Sequence, residues 1–538
     1  MPPLSATQTK QLTLAACIIG SGVAVLDGSV VNVALPTIQR DLGGGLAGQQ
    51  WVSNAYLLTL SSLILVGGSL GDLYGERRIF ALGVGGFGAA SLLCALAPTI
   101  GLLIAFRALE GVAGALLIPS SLAVIVATFS ESERGGAIGT WTAFGAVAAA
   151  AGPLGGGVLL AVGSWRWIFL INLPLVVVCI ALILAAVPRA APREAGHAID
   201  LTGALLCALG LGGPVFALIE QPRLGWGSPA VLVPLIAGVA LFAAFLVYEW
   251  RAGRSADGHP MLPLTLFARR NFAVGNVETF AMYGGLAVLF FLLVLFLQQV
   301  AGYSPLRSGL ATLPVTIVML ALSRRFGALA DRYGPRLFMG GGPLLAGCGL
   351  LLLLRVGIHV DYLTEVLPAL LVFALGLSIT VAPLTAAVLA GVEERHAGIA
   401  SGVNNALARV AGLIAIAALG AVVAVHFSAV LDQHLAGVRL SAPARAAVAE
   451  AQRLALGHPA VAGLPAREAH AVTAAADAAS LASFHLGIAI AGGLVLLGGA
   501  IGAVGIRNPR RAVSARECAG GQLVGVASAA GVREQSPA

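Results

Sequence analysis

Lysine is almost missing from this chain: Lys10 is the only one among 31 basic residues, and arginine supplies the rest. A phosphate-binding GxxxxGK[ST] loop is therefore excluded, and with it an ATP-driven pump contained in this chain alone. Charge of either sign is scarce too. Charged residues make up 10% against 58% hydrophobic, with a mean hydropathy of +0.93, which excludes a soluble globular protein. Of the six cysteines, Cys17, Cys94, Cys179, Cys207 and Cys348 fall inside apolar runs and Cys518 in the tail. None has disulfide or metal-site spacing, so they read as small buried hydrophobes. None of the nine histidines opens an HExxH, so neither a membrane metalloenzyme nor a bound metal is expected. The net charge of +7 could suggest nucleic acid. Its placement argues otherwise, because the arginines sit in alternate loops between apolar runs, which is how membrane topology is set.

What the chain has in abundance is long apolar runs. A spanning helix needs about 20 mostly apolar residues. On that rule the sequence predicts an all-α integral membrane protein of fourteen spans. Six lie near 12–36, 50–70, 79–98, 100–128, 137–162 and 167–187; two near 201–221 and 229–250; six near 272–298, 306–324, 337–356, 363–390, 398–427 and 484–506. The plan is six, two, six: an N-terminus (1–11), a first bundle (12–188), two inserted helices with their loops (189–271), a last bundle (272–506) and a tail (507–538). The first run is about 25 residues long and carries on through Asp27 and Asn32 to Pro36, which suits a retained span better than a cleaved signal. Loops on the N-terminal side hold Arg77, Arg78, Arg134, Arg269, Arg270, Arg332 and Arg336 among others; the opposite short loops hold only Arg40, Arg166, Arg223, Arg307 and Arg355. By the positive-inside rule both termini are cytoplasmic, which implies a multi-pass protein of the cell's inner membrane. Residues 428–483 form a long Ala-rich outer loop, expected to be partly helical, and 507–538 a Gly/Ser/Ala-rich tail expected to be disordered.

One polar stretch occurs twice. Gly68-Ser-Leu-Gly-Asp72-Leu-Tyr-Gly75-Glu-Arg77-Arg78 returns as Gly327-Ala-Leu-Ala-Asp331-Arg-Tyr-Gly334-Pro-Arg336, an offset of 327 − 68 = 259. A second echo, Glu133-Arg134 against Glu394-Arg395, is offset by 394 − 133 = 261. Two patches in nearly one register indicate a duplicated architecture, a property of secondary transporters.

Polar groups inside the spans carry the chemistry. Asp27 lies mid-span, where an ionised carboxylate is costly unless paired, hydrated or protonated. Burial disfavours its charged form and a nearby cation favours it, so a carboxylate between the two can take up and lose a proton. A fixed helix–helix hydrogen bond is the other reading. Arg107 and Glu110, three apart, share one face of the fourth span. They either neutralise each other inside the bundle, or Arg107 biases the protonation of a carboxylate, with Asp27 the natural candidate. Glu278 is a third intramembrane acid, in the opposite half, with a possible role towards cationic substrates.

Several motifs in order resemble a known family. Leu26-Asp27-Gly-Ser-Val-Val-Asn32-Val-Ala-Leu-Pro36, the first hinge, Arg107-Ala-Leu-Glu110-Gly111-Val-Ala-Gly114, Gly145 with Gly152-Pro153-Leu-Gly-Gly156-Gly157, and Ser164-Trp165-Arg166-Trp167-Ile-Phe-Leu-Ile-Asn172-Leu-Pro174 all fit. Over about residues 12–506 the chain resembles a fourteen-span member of the major facilitator superfamily, in the drug:proton antiporter branch related to multidrug and antiseptic efflux proteins. That resemblance implies two pseudo-symmetric six-helix bundles and export rather than uptake, the latter through the fifth-span glycine motif. The family pattern more often has Gln where this chain has Glu110, which adds a second titratable acid. The glycines and Pro153 permit close approach and local bending, or are ordinary small-residue packing. The hinge implies a cytoplasmic latch built from Gly68, Asp72, Gly75, Arg77, Arg78, Gly327, Asp331, Gly334 and Arg336. By the pseudo-symmetry Asp72 faces the start of the thirteenth span (398–409) and Asp331 the start of the fifth, holding an outward-facing state.

The expectation is therefore a proton-coupled exporter of amphipathic or cationic small molecules, rocking about a midplane cavity and expected to work as a monomer without cofactor, ATP or nucleic acid. Asp27, Arg107 and Glu110 would couple the proton, which would weaken substrate binding by neutralising an acid. Asn32, Glu278, Asn404, Asn405 and Arg409 are candidates for the cavity. Export of one particular metabolite is the rival within transport. A non-transporting receptor would have no need of the intramembrane acids.

Overall fold

A computed structural model describes residues 5–188, 200–255, 260–389, 394–456, 459 and 461–508, and the side chains of some helical residues, Asp72 and Asp331 among them, lie outside that description. The first helices are α1 (Ala6–Leu42), α2 (Gly45–Tyr74), α3 (Glu76–Leu96), α4 (Ile100–Thr128), α5 (Glu131–Val162), α6 (Trp167–Leu170) and α7 (Asn172–Ala186). Then come α8 (Leu201–Leu224) and α9 (Pro229–Ala252). The remainder are α10 (Arg270–Gln299), α11 (Pro305–Tyr333), α12 (Pro335–Leu352), α13 (Leu367–Leu389), α14 (Glu394–Leu435), α15 (Ala442–Leu454) and α16 (Ala466–Gly505).

Both hinges fold the same way. Each is a single glycine between two helices, Gly75 (φ 91°) and Gly334 (φ 83°), a left-handed conformation that a side chain would resist. The glycine N–H closes the preceding helix, on Gly71 O at 3.0 Å and on Ala330 O at 2.8 Å. Pro335 then opens α12 at a position where no backbone donor is needed. The two hinge arginines repeat the same contact. Arg77 donates to Leu184 O at 3.0 Å, at the end of α7, and Arg336 to Ala503 O at 2.7 Å, at the end of α16. A cation on the last carbonyls of a helix satisfies orphan acceptors and suits the helix dipole.

Two groups of helices result. Helices α1 to α7 pack on one another, as do α10 to α14 with α16, while α8 and α9 pair together and α8 also touches α2 and α14. At the end remote from the hinges the groups share one buried cluster, with Val30 and Leu35 of α1 against Phe291 and Phe296 of α10. Towards the hinges each group has its own core: Phe80, Val124 and Ile183 in the first, Phe272, Met339 and Val403 in the second. Hydrogen bonds seal the remote end. Gln298 donates to Val33 O at 2.9 Å, Gln299 to Gln39 Oε1 at 3.1 Å, and Gln50 to Ile416 O at 2.6 Å. Large apolar side chains such as Leu82, Val177 and Ile236 point outwards, as a lipid-facing surface requires.

Among the described residues twelve helices are long and apolar enough to cross a membrane, against the fourteen spans expected. The stretches α2 and α5 are long helices (30 and 32 residues) that are not among the twelve. The sixth expected span is broken at Ile171 into α6 and α7, because Pro174 has no N–H to give to the carbonyl of Leu170. The expected outer loop is largely helix: α14 runs on to Leu435, α15 crosses over, and α16 begins at Ala466. Alanine with scattered charges is too polar to read as a span yet has high helix propensity. Cysteine needs a correction as well: Cys17, Cys94 and Cys179 are buried, but Cys207 is partly exposed and Cys348 lies on the exposed face of α12. The tail from 509, and the side chains of Glu394 and Arg395 of the second echo, lie outside what is described.

Candidate functional site

The three charged residues singled out in the first half meet in one place. Asp27 is at the middle of α1, and Arg107 and Glu110 are one turn apart on α4; all are 0–1% exposed. Arg107 Nη1 lies 2.5 Å from Asp27 Oδ2 and 2.6 Å from Glu110 Oε2, so one guanidinium nitrogen bridges both acids. Its Nε donates to Val52 O at 3.1 Å, which ties α2 into the same node. The guanidinium carbon sits 4.4 Å from the ring centre of Tyr56 and 5.8 Å from that of Phe169, within cation–π range. Buried charge is tolerable only when paired and hydrogen-bonded, and this one is both.

Neutral donors complete the network. Asn172 Nδ2, at the start of α7, donates to Asp27 Oδ1 at 3.3 Å and to Ser91 Oγ at 3.1 Å. The Ser91 hydroxyl donates to Glu110 Oε1, and Cys94 Sγ is 3.6 Å from Glu110 Oε2. Tyr56 Oη donates to Ala24 O at 3.2 Å. With both acids ionised the node holds two negative charges and one positive. One proton would bring it to neutrality, and that is the chemistry the arrangement permits.

The sequence anticipated the meeting of Asp27 with Arg107, but not Asn172, Ser91 or Tyr56. Asn172 had a signal, since it lies inside the Trp165-to-Pro174 motif; the same motif's Trp165 is buried and donates to Asp41 Oδ2 at 2.9 Å. Ser91, in a Gly/Ala-rich span, offered no signal at all.

The other candidates are dispersed. Glu278 is fully buried between α10, α12 and α16, close to Gly502 and the Met339 carbonyl, with neither carboxylate oxygen hydrogen-bonded. Asn404 is buried rather than lining a cavity: its Nδ2 donates to Asn276 Oδ1 at 3.0 Å and Thr279 Oγ1 at 2.7 Å, clasping α14 to α10. Asn405 and Arg409 are partly exposed on α14, and Asn32 is partly buried with its Nδ2 3.4 Å from Gly28 O.

In the fifth-span motif Gly145 faces open space, whereas a side chain on Gly152 or Gly156 would run into Ser29 or Val30 of α1. Gly157 meets the start of α11, where an added Cβ would lie 2.6 Å from Leu306 Cα, and Gly309 of α11 presses in return on the Pro153 carbonyl. The motif therefore joins the two groups at their remote end. Of the hinge residues, a Cβ added at Gly68 would lie 3.8 Å from Pro119 and one at Gly327 3.3 Å from Ala382, and Arg78 is exposed. The latch contacts expected of Asp72 and Asp331 fall on side chains outside the described residues.

Comparison with known proteins agrees with this geometry. The sequence profile of the Major Facilitator Superfamily matches residues 17–416. A multidrug resistance protein, Stp, of Mycobacterium tuberculosis is 36% identical over 80% of this chain and 78% of its own length. A tetracenomycin C resistance and export protein of Streptomyces glaucescens is 31% identical over 91% of this chain and 90% of its own. Among solved structures, a bacterial homologue of the human lysosomal transporter Spinster, in an inward-facing conformation, superimposes with a TM-score of 0.60 at 16% identity, covering 93% of this chain and 99% of that one.

Proposed function

Because the chain belongs to the major facilitator superfamily, we propose that it is a proton-coupled exporter of drugs or other amphipathic small molecules, working by alternating access. The observation that carries the reading is the buried Asp27–Arg107–Glu110 node, which has room for one proton. On this reading the two helical groups are six-helix bundles (12–188 and 272–506), joined by the inserted pair within 189–271, and the fourteen-span plan holds. Both termini and both hinges are cytoplasmic, in the cell's inner membrane. The sealed remote end is then the outer one, so the conformation described here faces inwards. A monomer suffices, and neither ATP nor a cofactor is needed.

The proton works through helix contacts. Loaded with substrate and with the node unprotonated, the protein opens its remote seal while the hinge side closes, and Asp72 and Asp331 take up the latch role there. A proton entering from outside then neutralises Asp27 or Glu110, releases that carboxylate from the shared Arg107 nitrogen and loosens α1, or the neighbouring Ser91 of α3, against α4, so that substrate is let go outwards. The return stroke brings the node to the inward-facing form, where the proton is given up inside. The gradient supplies about 2.3 kcal/mol per charge for each 100 mV. Export of one antibiotic is the second reading, favoured by the relative named for tetracenomycin C.

Everted vesicles energised with a proton gradient test the proposal. Substrate-induced proton release with the native chain, lost in Asp27→Asn, is the expected result. Release that survives in Asp27→Asn and vanishes in Glu110→Gln moves the proton to Glu110. Release that survives both removes the node from the coupling.

A further inference from the structure

Among the described residues within the spans, Glu278 and Arg409 both lack an ion-pair partner, and of the two it is Arg409 that is partly exposed while Glu278 is fully buried. Arg409 lies on α14, partly exposed, and makes no hydrogen bond or ion pair among the described residues. Its electrostatic neighbours are two phenols, Tyr56 of α2 and Tyr283 of α10, one from each helical group.

Helix geometry gives its depth. Helices α2 and α14 run antiparallel and are pinned by Gln50 on the Ile416 carbonyl. Six residues from Gln50 to Tyr56 and seven back from Ile416 to Arg409 each cover roughly 9–10 Å, so Arg409 and Tyr56 stand level, just inside the sealed end. A second observation marks the same seam. Asn54, one turn along from Gln50, is 0% exposed, and neither its Oδ1 nor its Nδ2 is hydrogen-bonded.

The acids cannot serve as counter-ions here. Asp27 and Glu110 are consumed by Arg107, and Glu278 is packed against α16. An unpaired guanidinium within a span is costly, and an incoming anion relieves that cost. A cationic substrate would find no exposed carboxylate among the described residues at this depth, and would meet Arg409 instead.

We propose that Arg409 receives the negative end of the substrate, so that the protein carries amphiphiles bearing an ionised oxygen acid, a carboxylate or a phenolate, in preference to cations. This rests on the export reading above. It replaces the cationic substrates that the sequence suggested. Tyr283, partly exposed, offers an aromatic face to the body of the molecule, while Tyr56 is buried beneath Arg107. It also changes the coupling: an anion does not compete with the proton for charge, so coupling has to run through the α1–α4 contact. Exchange of one proton inwards for one anion outwards moves two charges in one direction, which makes export steeply dependent on membrane potential.

The test uses the full chain in lipid nanodiscs and two xanthene dyes of one scaffold, anionic fluorescein and cationic rhodamine 6G, with binding read by fluorescence anisotropy. Fluorescein should bind the native chain the more tightly, and Arg409→Gln should weaken it about tenfold or more relative to rhodamine 6G, as loss of a charged hydrogen bond implies. Arg409→Lys keeps the charge but loses the planar fork, so it should weaken fluorescein by less than Gln does; it also serves if the Gln variant does not fold. Tighter rhodamine binding by the native chain, or equal weakening of both dyes in the variants, overturns the proposal. Flux in proteoliposomes separates the two readings. Uphill movement of rhodamine 6G alone sustains export and removes Arg409 as an anion site. Arg409-dependent fluorescein binding with no uphill flux of either dye keeps the anion site and removes export.

Discussion

The two halves share a hinge but not a charge pattern. Moved by the repeat offset of 259–261, Asp27 falls on Leu286, Ala287 or Val288, Arg107 on Val366, Leu367 or Pro368, and Glu110 on Ala369, Leu370 or Leu371. Every counterpart is apolar. In place of an ion node the second half has the neutral clasp of Asn404 with Asn276 and Thr279. In the other direction, Arg409 falls on Ala148 to Ala150 of the first half. Duplication kept what the backbone needs, the glycine turn and the arginine on the last carbonyls, because those contacts serve each bundle separately. Titratable chemistry diverged: the first half ties two acids to an arginine, and the second clasps its helices with neutral side chains.

Breaking the charged half should have the largest effect. Arg107→Leu strands two buried carboxylates and is expected to destabilise by about 3–5 kcal/mol, seen as loss of monodisperse protein in detergent. Converting the node to the neutral style of the other half, with Asp27→Asn, Arg107→Gln and Glu110→Gln together, should recover folded protein that releases no proton on substrate addition. A melting point for Arg107→Leu equal to the native one would remove the contrast between the halves.

A smaller effect comes from the contact the halves share. Gly157→Leu forces a side chain into the backbone of α11, at about 1–3 kcal/mol against the sealed remote end. Spin labels placed across that end should report longer distances in the variant, and unchanged distances would mean that the motif does not hold the seal. Smaller again, Arg77→Ala and Arg336→Ala should each cost about 1 kcal/mol or less, and nearly the same amount, since each removes a cation from the end of one helix. Unequal shifts in melting temperature would show that the hinges have diverged after all.

The smallest effect belongs to the surface. At the first turn of α5, outside the spans, Lys10 sits 2.6 Å from Glu133. Hydrogen bonds from Lys10 and Ser130 lower the Glu133 carboxyl from its ordinary 4.5 to about 2. A depressed folded value means that the contribution is present above pH 4.5 and lost as pH falls through about 2. NMR titration of Lys10→Gln should find Glu133 closer to its ordinary value, and an unmoved midpoint would assign the shift to the Ser130 capping box.

Legibility followed the range of the interaction. The hinge turns could be read from the sequence because a glycine and the polar residues beside it act within one helical turn. Asp27 and Arg107 could be paired because an isolated buried charge demands a partner and few were on offer. Asn172 could not be placed, since its amide reaches a carboxylate 145 positions away and neutral amides carry no comparable demand. The contacts of Asn404 were hidden for the same reason: a polar side chain in a span is equally at home in a cavity or in a helix–helix clasp. Arg409 was legible as a charge in a span, yet only the structure shows that Asp27 and Glu110 are held by Arg107 and that Glu278 is packed against α16.

Helix α8 has a consequence for how a substrate arrives. It lies across the seam between α2 and α14, where Val215 and Ile219 pack with Leu413 and Ala417, and Trp51 donates to Glu220 Oε1 at 3.1 Å. A molecule dissolved in the bilayer therefore meets a wall on that flank. Among the described residues the flank where α5 meets α11 is not bridged by the inserted pair, so on the export reading sideways entry from lipid would be one-sided.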